Sequence, residues 1–205
     1  MRIRAWCVLT VIAALGAAIL VTGCGSGEPL SASPSASGLR VAAFDNPKWG
    51  FSLEYPAKYV RIEPSPGANQ GSGLLYQVYF ADPTGGKSGS SALDTLGITI
   101  RSMSRTAKPG DLKKFRSDFE NMALQLVGKP EGLKIVQPFR LATLGGKPAL
   151  KGAFTYKVGG KDVAAVAYLV PQADRIYWVT AQASRQTWAT ASKELGAALA
   201  TLKLK

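Results

Sequence analysis

Short runs in which apolar and polar residues alternate recur along most of the chain. In WGFSLEYP, for example, Phe51, Leu53 and Tyr55 alternate with polar residues, and Pro56 closes the run. A period of two residues puts every second side chain on the same face of a β-strand. This pattern predicts a strand there and in LLYQVYF (74–80), TLGITIRSM (95–103), KIVQPFRLATL (134–144), PALKGAFTYKV (148–158), VAAVAYLV (163–170) and RIYWVTAQA (175–183).

Two segments instead have the spacing of an amphipathic helix. The first begins at Asp111, a suitable N-cap, and stops at Gly128, which is followed by Pro130. The second follows Ser184 and runs towards the C-terminus. The apolar residues at helical spacing are Leu112, Phe115, Phe119, Met122 and Leu126 in the first segment, and Trp188, Leu195, Leu199 and Leu202 in the second.

Short glycine turns connect the later strands. Gly145-Gly146 and Gly159-Gly160 each separate two strand-like runs, and Pro171 to Asp174 interrupts the next pair. Such spacing predicts an antiparallel meander. With two long helices, the predicted class is α+β, with an antiparallel sheet between helices as a helix–sheet–helix sandwich. Within 175–183, neighbouring aromatic residues cannot share a face, so Trp178 and Tyr177 should point to opposite sides.

The N-terminal segment has the features of an export signal. Arg2 and Arg4 precede an apolar run from Trp6 to Val21, which is short for a membrane span of about 20 residues. The run ends in VTGC, which resembles the bacterial lipobox and implies acylation of Cys24 and cleavage between Gly23 and Cys24. An uncleaved signal anchor and an ordinary secretory signal are the alternatives.

The sequence thus divides into three parts. Residues 1–23 are the predicted lipoprotein signal peptide, and 24–38 comprise the lipidated Cys24 and a Ser-, Pro- and Gly-rich tether. Residues 39–205 are long enough for one globular domain. The predicted location is the extracytoplasmic face of the cell membrane, with palmitate or a similar acyl group as the anchor.

One stretch, ADPTGGKS (81–88), loosely fits a phosphate-binding loop. A working loop needs a helix directly after its Lys-Ser, because helix N–H groups and the helix dipole hold the phosphates. Here Gly89 and two serines follow Ser88, and the next ordered run reads as a strand. A simple hairpin loop is therefore the preferred interpretation.

Composition excludes several kinds of chemistry. The chain has no His, which removes the commonest general base and zinc ligand. Its two cysteines cannot build a disulfide framework or a four-thiolate site. Asp82, Asp94 and Asp162 are isolated in sequence, and no Ser-x-x-Lys lies in a supportive context. We therefore predict no enzyme activity, no metal site and no cofactor.

Charge and aromatic residues suggest two candidate surfaces. Without residues 1–23 the chain has 23 basic and 13 acidic residues, a net charge of +10, which favours anionic surfaces; nucleic acid is not an expected partner outside the cell. The alternative is simply a solvated face for the charges and a core position for the aromatics. The candidate basic surface comprises Lys108, Lys113, Lys114 and Arg116, and the candidate ligand groove comprises Trp49, Tyr76, Trp178 and Trp188.

Three stretches resemble the PsbP-like family: WGFSLEYPAKYV (49–60), LATLGGKPALKGAFTY (141–156) and RIYWVTAQASRQTW (175–188). The resemblance covers roughly 40–205 and implies a sandwich fold like that of the Ran-binding Mog proteins. Family members mostly act as non-enzymatic assembly or binding subunits. The ion-binding role of one member implies no matching site here, because this chain has no His.

These features together predict a membrane-anchored, non-catalytic binding or assembly module of the cell envelope, with an envelope protein as its partner. The alternative is a carrier that holds a hydrophobic or glycolipid ligand between a helix and the sheet. A third possibility, an extracytoplasmic hydrolase, has no visible base.

Overall fold

The computed structural model describes residues 33–34, 40–64, 73–88, 91–107, 110–114, 116–117, 121 and 130–205, and most of these residues form strands. The strands are β1 (Ser33–Pro34), β2 (Arg40–Asn46), β3 (Phe51–Pro56), β4 (Val60–Ile62), β5 (Leu74–Ala81), β6 (Lys87–Ser88), β7 (Ser91–Ala92), β8 (Thr95–Ala107), β9 (Lys134–Leu144), β10 (Lys147–Val158), β11 (Lys161–Ser184) and β12 (Lys203–Leu204). The helices are α1 (Asp111–Lys114) and α2 (Trp188–Thr201).

The strands form a large sheet, a small sheet and a ribbon. The large sheet has the order β4-β5-β8-β11-β10-β9, the small sheet has the order β1-β2-β3-β12, and β6 pairs with β7. All of these pairings are antiparallel. Gly145 and Gly146 have φ of 58° and 77°, the left-handed conformation that a tight two-residue hairpin requires. The predicted Gly-Gly turn between β9 and β10 is therefore confirmed.

Strand β11 reverses direction part-way along its length. The backbone N–H of Arg185 donates to the carbonyl of Asp162 at 2.9 Å, whereas a straight strand of this length would span roughly 80 Å at about 3.3 Å per residue. The first part of β11 pairs with β10 and the second part with β8. Ala173, with φ of 50°, lies between the two parts. The two predicted strands 163–170 and 175–183 are therefore the two arms of one hairpin.

The two faces of the large sheet bury separate apolar clusters. Ile176 and Trp178 belong to one cluster, and Tyr177 and Val179 belong to the other. This confirms the prediction that the neighbouring aromatics point to opposite sides. We call the cluster that includes Ala191, Leu195 and Ala198 of α2 the helix-side core. The other cluster, the far-side core, comprises Leu112, Phe139, Leu150, Phe154, Ala165, Ala167, Leu169, Ile176 and Trp178.

The predicted helix–sheet–helix sandwich is wrong. The helix-side core is closed by α2 and by the small sheet, whose strand β3 contributes Phe51, Leu53 and Tyr55. Of the described residues, Asp111–Lys114, 116–117 and 121 are helical in the first helical segment, and α2 has 14 residues. The error has a physical reason: alternation identifies β3 as a strand but does not say which sheet it joins. Most of the predicted helix after α1 lies outside the described residues.

Candidate functional site

The loop that resembles a phosphate-binding loop is a β-hairpin. After β5 ends, the N–H of Asp82 donates to the carbonyl of Asp94 at 2.9 Å. Lys87 and Ser88 then form β6, which pairs with β7. Because a strand and not a helix follows the Lys-Ser pair, no helix N-terminus is available for phosphate. The hairpin interpretation is confirmed.

The glycines of this loop make room for a carboxylate of the same chain. A Cβ on Gly85 would lie 2.5 Å from Oδ2 of Asp94, and one on Gly86 would lie 2.5 Å from Cβ of Ser184. Asp94 is buried, and its Oδ1 accepts hydrogen bonds from the N–H of Ser184 (3.0 Å) and the hydroxyl of Thr187 (2.8 Å). Asp94 therefore joins the loop to the end of β11 and the start of α2.

Next to this loop, one lysine bridges two buried carboxylates. Nζ of Lys58 lies 3.0 Å from Oδ2 of Asp82 and 3.0 Å from Oε2 of Glu194. The hydroxyl of Tyr59 donates to the same oxygen of Glu194 at 3.3 Å. Oδ1 of Asp82 accepts from the backbone and the hydroxyl of Thr84, at 2.8 and 2.7 Å. These contacts join the β3–β4 turn, the β5–β6 loop and α2; we call Lys58, Tyr59, Asp82 and Glu194 the Lys58 cluster.

Three side chains of the Lys58 cluster, Lys58, Tyr59 and Asp82, have shifted pKa values that keep their ordinary charge states. Burial alone would lower the pKa of the Lys58 amine, but hydrogen bonds and attraction to Glu194 and Asp82 outweigh it, and the pKa is raised. Burial would raise the pKa of Asp82, but hydrogen bonds from Thr84 and Lys58 lower it below its usual value. Burial, and then the charge of Glu194, raises the pKa of Tyr59. At neutral pH the amine is therefore protonated, the Asp82 carboxyl is ionised and the phenol is neutral.

A shallow cleft of about 410 Å³ opens beside the Lys58 cluster. It is lined by Arg40, Pro56, Ala57, Lys58 and Glu194. Arg40 is the first residue of β2 and pairs with Pro34 of β1, which lies inside the predicted tether. The charged side chains of the cleft are those of Arg40, Lys58 and Glu194, of which Lys58 and Glu194 pair with each other.

Sequence reasoning missed this cluster, because its members come from three distant segments. Tyr59 and Glu194 are 135 residues apart. One signal could have found Glu194. It lies three residues after Ala191 and four before Ala198, so it falls on the buried stripe of α2, where an unpaired carboxylate would be costly.

The structure brings together only part of the predicted aromatic groove. Trp49 stacks on Tyr76, with ring centroids 5.8 Å apart, and both pack against the helix-side core. Trp188, at the start of α2, packs against the same core. Trp178 instead lies in the far-side core, 6.4 Å from Phe139. The four residues therefore do not line one groove between helix and sheet.

Two positively charged side chains lie near the ring of Trp49. The Lys48 amine and the Arg175 guanidinium lie 5.4 and 5.9 Å from its ring centroid. The Tyr177 hydroxyl donates to the Trp49 carbonyl at 2.7 Å, which fixes the turn between β2 and β3 against the large sheet.

The other predicted site residues are less informative. Lys113 and Arg116 are exposed, and Lys114 lies at the end of α1. Lys108, together with Gly23 and Cys24, lies outside the described residues. Across the described ranges, no group of three or more acidic or sulfur ligands is arranged to hold a metal ion. Of the helices that the structure describes, none is both long and apolar enough to cross a membrane.

The Lys58 cluster predicts a pH dependence of stability. The pKa of Asp82 is lower in the folded than in the unfolded chain, so its contribution is complete above the unfolded pKa of about 3.9 and is lost as the pH falls through the folded pKa. Asp82→Asn should lower the free energy of unfolding by about 1 kcal/mol at pH 7, since Lys58 is half exposed. It should also reduce the loss of stability below pH 4.

Urea unfolding between pH 2.5 and 7 measures both effects. Asp45→Asn is the matched control, because Asp45 pairs with Lys205 in an exposed position. Below pH 4, the free energy of unfolding of Asp45→Asn should fall with pH in the same way as that of the unsubstituted protein. An Asp82→Asn variant with an unchanged fall in stability below pH 4 would show that the ion pair contributes no net stability.

No protein-family model and no curated protein matches the sequence. Solved structures do match the fold. The cyanobacterial PsbP protein CyanoP from Synechocystis sp. PCC 6803 aligns over 90% of this chain and 99% of its own, with a TM-score of 0.59 and 13% identity. The chain has a PsbP-like fold. LpqN of Mycobacterium tuberculosis, a protein involved in cell envelope biogenesis, aligns over 76% of this chain and 83% of its own, with a TM-score of 0.50 and 16% identity.

At these identities the likeness extends to the fold and no further. It confirms the PsbP-like part of the sequence-based expectation, which was drawn from the runs near 49–60, 141–156 and 175–188. The correction concerns the arrangement within that fold, where a second sheet shares one face of the large sheet with α2.

Proposed function

We propose that this chain is a lipid-anchored, non-catalytic binding or assembly module on the extracytoplasmic side of the cell membrane. The anchored location rests on the VTGC motif at 21–24, with a charged segment and an apolar run before it and a polar tether after it. Two acyl chains on Cys24 would hold the domain stably, since each buried CH₂ contributes about 0.8 kcal/mol. The PsbP-like fold, shared with an envelope-biogenesis protein, is compatible with this role.

The observation that carries the non-catalytic part is the pairing within the Lys58 cluster. The buried acidic side chains nearest to the cleft, Asp82 and Glu194, both bind Lys58. A general base needs a pKa near the working pH and a free lone pair for the substrate proton. The pKa of Lys58 is raised and the pKa of Asp82 is lowered, so both pKa values lie further from neutral pH than usual. This geometry therefore supports a structural role.

The packing under α2 favours assembly over the carrier alternative. Leu195 is fully buried, and Ala191 and Ala198 are almost so, where α2 packs against β3 of the small sheet and β11 of the large sheet. An apolar carrier would need space at this position for an acyl chain or a similar group. A solid helix–sheet contact makes the domain suited to binding at its surface.

The full chain, tagged and expressed in its host, is the reagent for the test. After detergent solubilisation of the envelope, mass spectrometry measures the proteins and lipids that co-purify with it. A protein partner at a fixed, saturable ratio is the expected result. A stoichiometric lipid or glycolipid would support the carrier alternative, and recovery of the chain alone would contradict both.

A further inference from the structure

Exposed apolar side chains are concentrated on strand β9. Val136, Leu141 and Ile135 have exposed fractions of 64%, 59% and 43%, and they are half of the large apolar residues that the described part of the chain exposes. β9 is the end strand of the large sheet, so its outer backbone N–H and C=O groups face no other described strand. An apolar edge strand is a template for the addition of another strand, and because Pro138 lacks a backbone N–H, the uninterrupted donors of this edge lie on either side of it.

The same edge carries positive charge that is not ion-paired with a carboxylate of the described residues. Arg140 on β9 lies directly opposite Lys151 on β10. Among the described residues neither side chain forms an ion pair with an acidic group; the Lys151 amine instead lies 5.5 Å from the ring centroid of Tyr168. Like charges directly opposite each other destabilise an antiparallel pair. A carboxylate supplied from outside would relieve this repulsion.

Leu141 and Arg140 lie on opposite faces of β9, whereas Ile135 and Val136 are consecutive and divide between the two faces. Leu141 is paired with Leu150, which belongs to the far-side core. Arg140 is the neighbouring residue, so its side chain points to the other face. A strand added next to β9 would therefore meet an apolar side chain and a cation at successive positions.

We propose that β9 is the docking edge for an extended segment of a partner protein in which apolar and acidic residues alternate. The inference rests on the proposed function as a binding module and specifies its surface and the chemistry of its partner. A second copy of the chain fits this edge less well, because the charged residues of β9, Lys134 and Arg140, are both positive. Self-pairing would add positive charge to a strand whose own sequence contains no Asp or Glu.

A synthetic peptide tests the proposal directly. The probe is a blocked decapeptide of alternating Val and Glu, labelled for fluorescence anisotropy, and the control peptide has the same composition in two blocks, five Val then five Glu. The full chain in detergent should bind the alternating peptide roughly tenfold more tightly than the block peptide, since only the first presents both side chains in strand register. Equal affinities, or no binding of the alternating peptide, would overturn the proposal.

Matched substitutions distinguish binding of the peptide at β9 from attraction by the net charge of the chain. Arg140→Glu should weaken binding of the alternating peptide about tenfold or more, because it places like charges opposite each other. Lys193→Glu makes the same change of charge on the exposed side of α2 and should leave the affinity within about twofold. Equal weakening by both variants would assign the attraction to net charge and refute a β9 site.

Leu141→Asn is a second variant, which removes the apolar side chain without adding charge at a position that is mostly exposed. It should also weaken binding of the alternating peptide while the circular dichroism spectrum stays unchanged. If the peptide tests fail but the chain still recovers a stoichiometric partner from the envelope, only the β9 assignment is wrong. If the envelope test also fails, the proposed function is wrong as well.

Discussion

Replacing Cys24 with alanine is expected to abolish both processing and anchoring. In the proposed lipobox chemistry, a diacylglycerol group would be attached to the Cys24 sulfur before cleavage between Gly23 and Cys24. Alanine has no sulfur, so the Cys24→Ala precursor should keep residues 1–23 and carry no acyl group. Intact-protein mass spectrometry reads both properties, because the unsubstituted protein should begin at Cys24 with the added mass of the lipid.

Cys7→Ala is the matched control for this experiment. Cys7 lies within the apolar run of the signal segment, where a small apolar residue serves equally well. The Cys7→Ala chain should therefore be cleaved and acylated like the unsubstituted protein. Normal cleavage and membrane retention of Cys24→Ala would refute the lipoprotein proposal and favour an ordinary secretory signal or an uncleaved anchor.

The strands of this fold could be predicted because their signals are local. Phe51, Leu53 and Tyr55 are all buried, as their alternation requires. The turn at Gly145-Gly146 forms where the sequence places it, because glycine takes positive φ at little cost. Even the split of Tyr177 and Trp178 between two cores follows from the period of a strand.

The assembly of those strands could not be predicted in the same way, because it depends on distant contacts. β3 pairs with β12 through Ser52 and Lys203, near the two ends of the domain. Nothing in the period of either strand shows that they belong to a sheet separate from the large one. The helix–sheet–helix prediction failed at this point, since it assigned to a single sheet strands that the structure divides between two.

The Lys58 cluster could not be predicted for the same reason, because it also depends on contacts between distant segments. Lys58 pairs with Glu194 because α2 packs beside the β3–β4 turn, and the sequence alone does not show this contact. Likewise, the sequence shows Asp82 and Asp94 as isolated acids in loops, whereas the fold joins their segments by a backbone hydrogen bond. Charged residues far apart in sequence carry no periodic signal, so their pairing is determined by tertiary structure.

Trp178→Ala is expected to cause the largest loss of stability among single substitutions of the aromatic residues. Trp178 is 6% exposed and packs beside Phe139 in the far-side core. Truncating a buried aromatic side chain typically costs 3–5 kcal/mol, through lost transfer free energy and the cavity left behind. For a domain of this size the corresponding fall in Tm is about 10 °C. Thermal unfolding followed by circular dichroism gives the midpoint directly.

Trp49→Ala is the control for the loss of stability in Trp178→Ala. Trp49 is only partly buried, at the rim of the helix-side core, so its truncation should cost less than half as much. A large loss at Trp178 with a small one at Trp49 identifies Trp178 as a core residue and not as part of a ligand groove. If Trp178→Ala instead stays within about 1 kcal/mol of the unsubstituted protein, the far-side core is not tightly packed around it. The face of the large sheet that bears Trp178 would then be the surface to search for a ligand.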